Sequence, residues 1–281
     1  MGSGSTNKSD KTHTPPVVEY NTGVPGFRFL RGSNVTFSKP RTIVHADYTI
    51  KLTTRGLGAP IRYKGARHKP CSTGQLSVFS PFEPLIAGKS AYSTSFASLV
   101  IEPHLLHSAC EALDRSSLSF HSPHILHTAL ARQLAVLNAD MDTELPTADL
   151  ELQFSEALEL LLEIPGSEEK HPAPKFVLHT RELVLDNLDK NLSAETLERE
   201  LGLSRFHLIR LFRKHYGLPP GEFRTYARLS LARKLLAGGS SQAEAAQAAG
   251  FFDQSHFHRH FRRVMNISPG AFQKVLRLRA G

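Results

Sequence analysis

Cysteine is scarce: the 281 residues hold only Cys71 and Cys110, in unrelated contexts. A disulfide scaffold or a four-thiolate metal site is therefore excluded, leaving at most one disulfide and favouring reduced, semi-buried thiols in the cytosol. No apolar run approaches the ~18 residues that a membrane helix needs. The opening "MGSGSTNKSDKTHTPP" has no apolar core and reads as a disordered tail, not a secretory leader. No nucleophile elbow, P-loop or dinucleotide motif occurs. His45 and His68 are isolated, without the clustered His and carboxylate ligands of a metal-dependent enzyme. These absences leave few enzymatic classes open.

A hydrophobic content of 40% over this length supports a globular chain of two domains. Its net charge of +8 is unevenly placed. Residues 173–281 hold 18 of the 34 basic and 9 of the 26 acidic residues, a net of +9 that leaves −1 for the rest. Such asymmetry is expected of a nucleic-acid-binding domain attached to a neutral one, although a merely basic domain would show it too.

The basic half repeats itself. Shifted by 49 residues, Leu208 falls on Phe257, Arg210 on Arg259, Phe212 on Phe261, Arg213 on Arg262, Pro220 on Pro269 and Phe223 on Phe272. Gly217 meets Asn266, and these are the residue types that best tolerate a left-handed helix end. Gly202 and Gly250 correspond after one inserted residue. Two copies at so long a period make a duplicated supersecondary unit. Each copy predicts a short helix (about 193–201 and 242–249), a turn containing glycine, and a second helix with an apolar stripe and a basic face. This is the pattern of a helix-turn-helix, whose second helix enters the major groove.

The second copy's "FFDQSHFHRHFRRV" shows the pattern most clearly. Phe257, Phe261, Val264 and Met265 form one helical stripe, and Asp253 stands where a carboxylate caps the first amides. His256 and His260 share a face at i, i+4, but two imidazoles beside Arg259, Arg262 and Arg263 are an incomplete and repelled zinc site, so no metal is expected. The basic face is either a grip on a polyanion or a solvated surface.

Taken together, "LGLSRFHLIRLFRKHYGLPPGEFRTYARLSLARKLL" and "AAGFFDQSHFHRHFRRVMNISPGAFQ" resemble the DNA-binding domain of the AraC/XylS family of bacterial transcription regulators. Glu198 departs from it, standing where the family usually has a small residue, as does Asn266 in place of glycine. The N-terminal residues of each recognition helix are the expected base readers: Arg205, Phe206, Ile209 and Arg210 in one copy, Gln254, Ser255, His258 and Arg259 in the other. Arg213, Lys214, Arg262 and Arg263 lie farther along and are expected to grip phosphates, their alternative being solvated charge. The resemblance implies that a long helix at about 220–236 holds both reading helices on one face of the duplex. It also implies that such regulators mostly activate by contacting RNA polymerase.

Residues from about 36 to 102 are β-rich, in stretches such as "TIVHADYTIKLTTRG", "IRYKGARHKP" and "GQLSVFSPFEP". They predict a small barrel and resemble, more weakly, the family's cupin-like effector domain. "HLLHSACEAL", "PHILHTALARQLAVLNADM" and "DLELQFSEALELLLEI" then read as amphipathic helices that either cover the barrel or make a dimer contact. The expected fold is α+β, a cupin-like β-barrel with helices followed by an all-α double helix-turn-helix. Its divisions are a tail (1–18), a sensor or dimerisation domain (19–166), a linker (167–175) and a DNA-binding domain (176–281). The expected function is a cytoplasmic, sequence-specific activator without cofactor or catalytic residues. Its partners would be promoter DNA, RNA polymerase, a possible small-molecule effector and a possible second copy of itself. The alternative is a cupin-type binding protein or enzyme with a basic accessory domain.

Overall fold

The computed structural model describes residues 17–20, 22–114, 120, 122–143, 145–164, 173–190 and 193–277. Most of the expected tail and most of the expected linker lie outside them. The first strand, β1 (Val17–Tyr20), already occupies the last two residues assigned to the tail, and Val18 is buried in it.

Nine further strands follow: β2 (Phe27–Val35), β3 (Arg41–Ile43), β4 (Tyr48–Gly56), β5 (Ile61–Tyr63), β6 (Ala66–His68), β7 (Leu76–Phe79), β8 (Leu85–Ala87), β9 (Thr94–Ile101) and β10 (His124–Ile125). They form a six-stranded antiparallel sheet, ordered β1-β2-β9-β4-β7-β10, and a four-stranded one, ordered β3-β8-β5-β6. Strand alternation divides the larger sheet into two faces. Ile50, Leu52, Leu76, Val78, Leu99 and Ile101 point one way, into the main core. Phe79 points the other way and meets Tyr63 of the small sheet edge-on, ring centroids 5.6 Å apart, with Leu85 beside them. The two sheets thus pack face to face as an open, cupin-like sandwich and do not close into a barrel.

Three helices cover the outer face of the large sheet: α1 (Pro103–Ala112), α2 (Thr128–Asp140) and α3 (Thr147–Leu162). Leu106, Leu130, Leu134, Leu137, Phe154 and Leu161 are their inward stripes. The covering role of these segments is therefore met. One boundary differs from expectation: "PHIL" is not helical, because His124 and Ile125 pair with Ser77 and Leu76 at the sheet edge. His124 is held there by Ser77 Oγ at 3.1 Å and the Lys69 carbonyl at 2.9 Å. The helix starts only after His127, whose Nδ1 accepts the Leu130 amide. Strands β1 and β2 lie ahead of the expected β-rich stretch.

Among the described residues of the C-terminal part, the elements are all helices: α4 (Lys175–Asp186), α5 (Ala194–Leu201), α6 (Arg205–Tyr216), α7 (Pro220–Ala237), α8 (Gln242–Ala248), α9 (Gln254–Met265) and α10 (Pro269–Arg277). It contains two separate cores. Val177 and Val184 of α4, Phe212 and Tyr216 of α6, and Phe223 and Ala227 of α7 make one. Leu229, Ala232 and Leu236 of α7, Ala245 and Ala246 of α8, and Phe257 and Phe261 of α9 make the other. Helix α7 is the shared element, its first half in one core and its second half in the other.

The two parts of the chain meet through charge. Asp47, only 1% exposed, accepts from Arg28 Nη2 at 2.5 Å and from Lys234 Nζ of α7 at 3.0 Å. Arg28 also reaches Glu19 at 2.6 Å, and Lys234 reaches Glu102 at 3.0 Å. Burial opposes the charge on Arg28, but Glu19 and Asp47 outweigh it and raise its pKa. Beside this network, burial, followed by Arg233, Arg28 and Lys51, pushes His45 down to about 3.

Replacing Asp47 by Ala leaves Lys234 and Arg28 short of a buried partner and is expected to cost about 3–5 kcal/mol, measurable by denaturant unfolding. A second expectation concerns pH. The folded His45 refuses a proton that the unfolded chain accepts below about pH 6.5, so stability is lost as pH falls from there toward 3. One such site adds at most about 1.4 kcal/mol per pH unit. Thermal melts of His45→Phe, which keeps the ring stacked on Phe79, should fall less steeply between neutral and mildly acidic pH than those of the parent.

Candidate nucleic-acid interface

Each half of the duplicated unit is built from its helix ends inward. Ser193 caps α5 by accepting the Thr196 amide at 3.2 Å. In the second copy Ser241 and Glu244 form a reciprocal capping box on α8, with bonds of 3.2 and 2.8 Å. Asp253 caps α9 by accepting the His256 amide at 2.6 Å. At the other end, Gly217 and Asn266 both take the left-handed conformation, at φ 80° and 61°, and close α6 and α9 alike. Gly250 is needed twice over. Its φ is +80°, and a Cβ there would lie 2.1 Å from the Leu188 carbonyl.

The cap of α6 comes from an unexpected residue. Ser204 makes no side-chain cap bond; Glu198, on the preceding helix, accepts the Arg205 amide instead. The residue that departs from the family pattern thus supplies an anion to the positive end of the recognition helix and ties the two helices together. Only tertiary proximity reveals this, because the partners are seven residues apart across a turn.

The apolar faces are fully used. Phe212, Tyr216 and Phe223 cluster with ring centroids 4.6–5.9 Å apart. Phe251, Phe257, Phe261 and Phe272 form a chain at 5.2–5.8 Å. With these rings inside, the opposite faces must carry the polar residues outward. Arg205, Phe206, Arg210, Arg213 and Lys214 are exposed on α6, and Ile209 is half-buried. On α9, Gln254, Ser255, Arg259, Arg262 and Arg263 are exposed. His258 is the exception among the expected readers on α9. It is half-buried against the Phe257 ring, and its Nε2 lies out of solvent without a hydrogen-bond partner.

Two aromatic side chains stand in water beside the basic faces. Phe206, at the first turn of α6, is 85% exposed, and Phe252, just ahead of α9, is 97% exposed. Phe252 was not among the expected contact residues; its signal was an apolar residue in a turn already supplied with one buried phenylalanine, Phe251.

The histidine face of α9 offers little to a metal. His256 and His260 are edge-to-face at 4.4 Å, but Arg263 Nη2 lies 3.1 Å from His260 Nδ1. Burial first, then His256, Arg263 and Arg259, lowers the pKa of His260. Among the described residues, no group of three or more His, Cys, Asp or Glu could hold a metal ion.

Comparison with known proteins agrees with this geometry. A family model for a helix-turn-helix domain matches residues 197–275. An uncharacterized HTH-type transcriptional regulator of Bacillus subtilis, YbfI, is 25% identical over 213 residues, covering 69% of this chain and 75% of its own length. The lactose operon transcription activator of Staphylococcus xylosus is 26% identical over 98 residues, 34% of this chain and 35% of that protein. GlxA of Rhizobium meliloti is 37% identical over 107 residues, 37% of this chain and 32% of that protein. The matches to the last two span about a third of their lengths. Among solved structures, an apo form of ToxT from Vibrio cholerae, carrying one substitution, superposes over 90% of this chain and 98% of its own, with a TM-score of 0.53 at 18% identity. That likeness extends the shared fold across both parts of the chain.

Two substitutions test how the interface is built. Phe261→Ala should lose about 3–5 kcal/mol through a cavity in the second core. Glu198→Ala should lose about 1 kcal/mol, the scale of one helix cap. Equilibrium unfolding of both variants checks the difference.

Proposed function

We propose that the chain is a transcription regulator of the AraC/XylS family and that it reads two successive segments of an asymmetric promoter site with α6 and α9. The observation that carries this reading is the pairing of two recognition helices on one shared helix, each with its phenylalanines buried and its arginines exposed. Arg205, Phe206, Ile209 and Arg210 would read one segment; Gln254, Ser255, His258 and Arg259 would read the other, with Ile209 and His258 half-buried. Arginine bridges guanine O6 and N7, glutamine pairs with adenine, and Phe or Ile packs on a thymine methyl. Arg213, Lys214, Arg262 and Arg263, nearer the helix C-termini, would hold phosphates. Exposed Phe252 joins the contact surface by its place beside the N-terminus of α9.

We read the division of labour as an N-terminal sensor or dimerisation domain, 19–166, joined through 167–175 to the DNA-binding domain, 176–281. A cleft of about 470 Å³ lies between them, lined by Glu19, Tyr20, Phe27 and Arg28 on one side and Leu236 and Gln273 on the other. A small molecule held there would touch both domains, which supports an effector. A related ToxT structure was solved with an unsaturated fatty acid bound. The named activator among the relatives supports activation, and with it contact to RNA polymerase in the cytoplasm. Val136 of α2 and Leu152 of α3 are exposed, which supports a self-contact through those helices. No catalytic residue or cofactor is part of this reading. No described helix is long and apolar enough to cross a membrane.

Arg210→Ala and Arg259→Ala should each cost about 1–3 kcal/mol at the cognate site and relax base preference in different segments. Arg263→Ala should weaken cognate and random duplex alike and change the log–log salt slope by about one. Randomised-site selection and salt titration of each variant decide the matter. Uniform losses at Arg210 and Arg259, with base preference intact, would make them phosphate clamps and rotate the reading face toward His256 and His260.

A further inference from the structure

The two recognition helices belong to different cores, and α7 is the element those cores share. Taken alone, that arrangement leaves the angle between α6 and α9 to the stiffness of one helix and to side-chain packing at its two ends. The structure supplies a brace from elsewhere. Strands β3 and β5 both pair with β8, so they flank it in the small N-terminal sheet. Arg62 of β5 donates through Nη2 to the Lys214 carbonyl, in the last turn of α6, at 2.6 Å. Arg41 of β3 donates through Nη2 to the Val264 carbonyl, in the last turn of α9. Under the 49-residue repeat, these two carbonyls sit one position apart in equivalent helices.

Both contacts place a guanidinium where a helix is most receptive to one. The last carbonyls of a helix have no intrahelical donor and carry the negative end of its dipole. The left-handed ends at Gly217 and Asn266 stop each helix there. The fit at α6 is close. A Cβ on Gly217 would come within 2.3 Å of Ile86 Cδ1 on β8, and one on Gly65, in the β5–β6 turn, would lie 3.5 Å from the His215 carbonyl. A third attachment fixes α7 itself, through Lys234 with Asp47 and Glu102. The N-terminal domain therefore touches both recognition helices and the helix between them.

We infer that Arg41 and Arg62 are positioning residues for DNA recognition: the small sheet grips α6 and α9 by their C-terminal carbonyls and sets the separation of the two reading ends. Neither arginine need touch DNA. Their effect is on which spacing of the two promoter segments the protein accepts. This rests on the reading of α6 and α9 as recognition helices. It adds that the N-terminal domain has a direct mechanical hold on both, through which a change in its small sheet would reach the DNA.

The test uses the full chain and a panel of duplexes carrying the selected site, with the two segments moved apart or together by single base pairs. The parent should bind one spacing best and fall off on either side; failure to prefer any sequence would overturn the recognition-helix reading itself. Arg41→Ala, Arg62→Ala and the double variant should keep their base preferences in each segment but flatten the spacing profile. In the double variant the ratio of best to neighbouring spacing should drop by about tenfold, the scale of losing one hydrogen bond to a charged group. Arg41→Lys and Arg62→Lys keep a cationic donor and should restore part of the steepness. Arg67→Ala, an exposed change on β6 of the same sheet, should leave the profile as it was. A double variant that binds with an unaltered spacing profile overturns the inference, and so does equal flattening by Arg67→Ala. If the double variant fails to fold, the two lysine variants decide: profiles steeper than those of the single alanine variants support the brace, and profiles no steeper overturn it.

Discussion

A carboxylate removed from water must be met by cations, and Asp47 is met from both domains. Arg28 comes from β2 of the N-terminal sandwich, whereas Lys234 comes from the helix that joins the two helix-turn-helix units. Separating the domains would remove Lys234 from Asp47 and leave Arg28 as its remaining cationic partner. The position of α7 against the sandwich follows from that constraint. So do the nearby bonds from Arg181 to the Pro81 carbonyl, at 2.9 Å, and from the small sheet to α6 and α9.

This arrangement gives the protein two mechanical levels. Within each helix-turn-helix, packed phenylalanines and helix caps make a unit whose exposed face is set by what its buried face requires. Between the readers, stiffness comes from α7 and from an external sheet. On the proposed function, the first level would decide which bases a helix prefers. The second would decide how two preferences combine along a duplex, because register between segments depends on the distance between helices. The cleft at the domain boundary is lined in part by Leu236 of α7.

The helical half was legible in the sequence to within a residue or two at most boundaries. The 49-residue repeat, the phenylalanine spacing, Asp253 before α9 and the paired Gly217 and Asn266 all act within a turn or two of the chain. The inserted residue near Gly250 shows the same point: α5 ends on a left-handed Gly202, whereas α8 ends on Ala249 before its glycine. The N-terminal half was less legible. Strands β1 and β2 went unrecognised, and His124–Ile125 looked helical beside a true helix. Its pairing with β7 is a contact between segments 47 residues apart, which no local period records.

By itself, the sequence determined the duplicated helix-turn-helix, the buried and exposed faces of both recognition helices, and the placing of the excess positive charge. All are consequences of side-chain periodicity and backbone preference over a few residues. Tertiary structure alone decided that Glu198 caps α6, that Asp47 is shared between domains, and that Arg41 and Arg62 hold the helix ends. The bond from Lys234 to Asp47 joins residues 187 apart, and that from Arg41 to the Val264 carbonyl joins residues 223 apart. A single arginine in a strand looks the same whether it faces solvent or a helix terminus. Only the docking of one domain on the other brings the carbonyl to it.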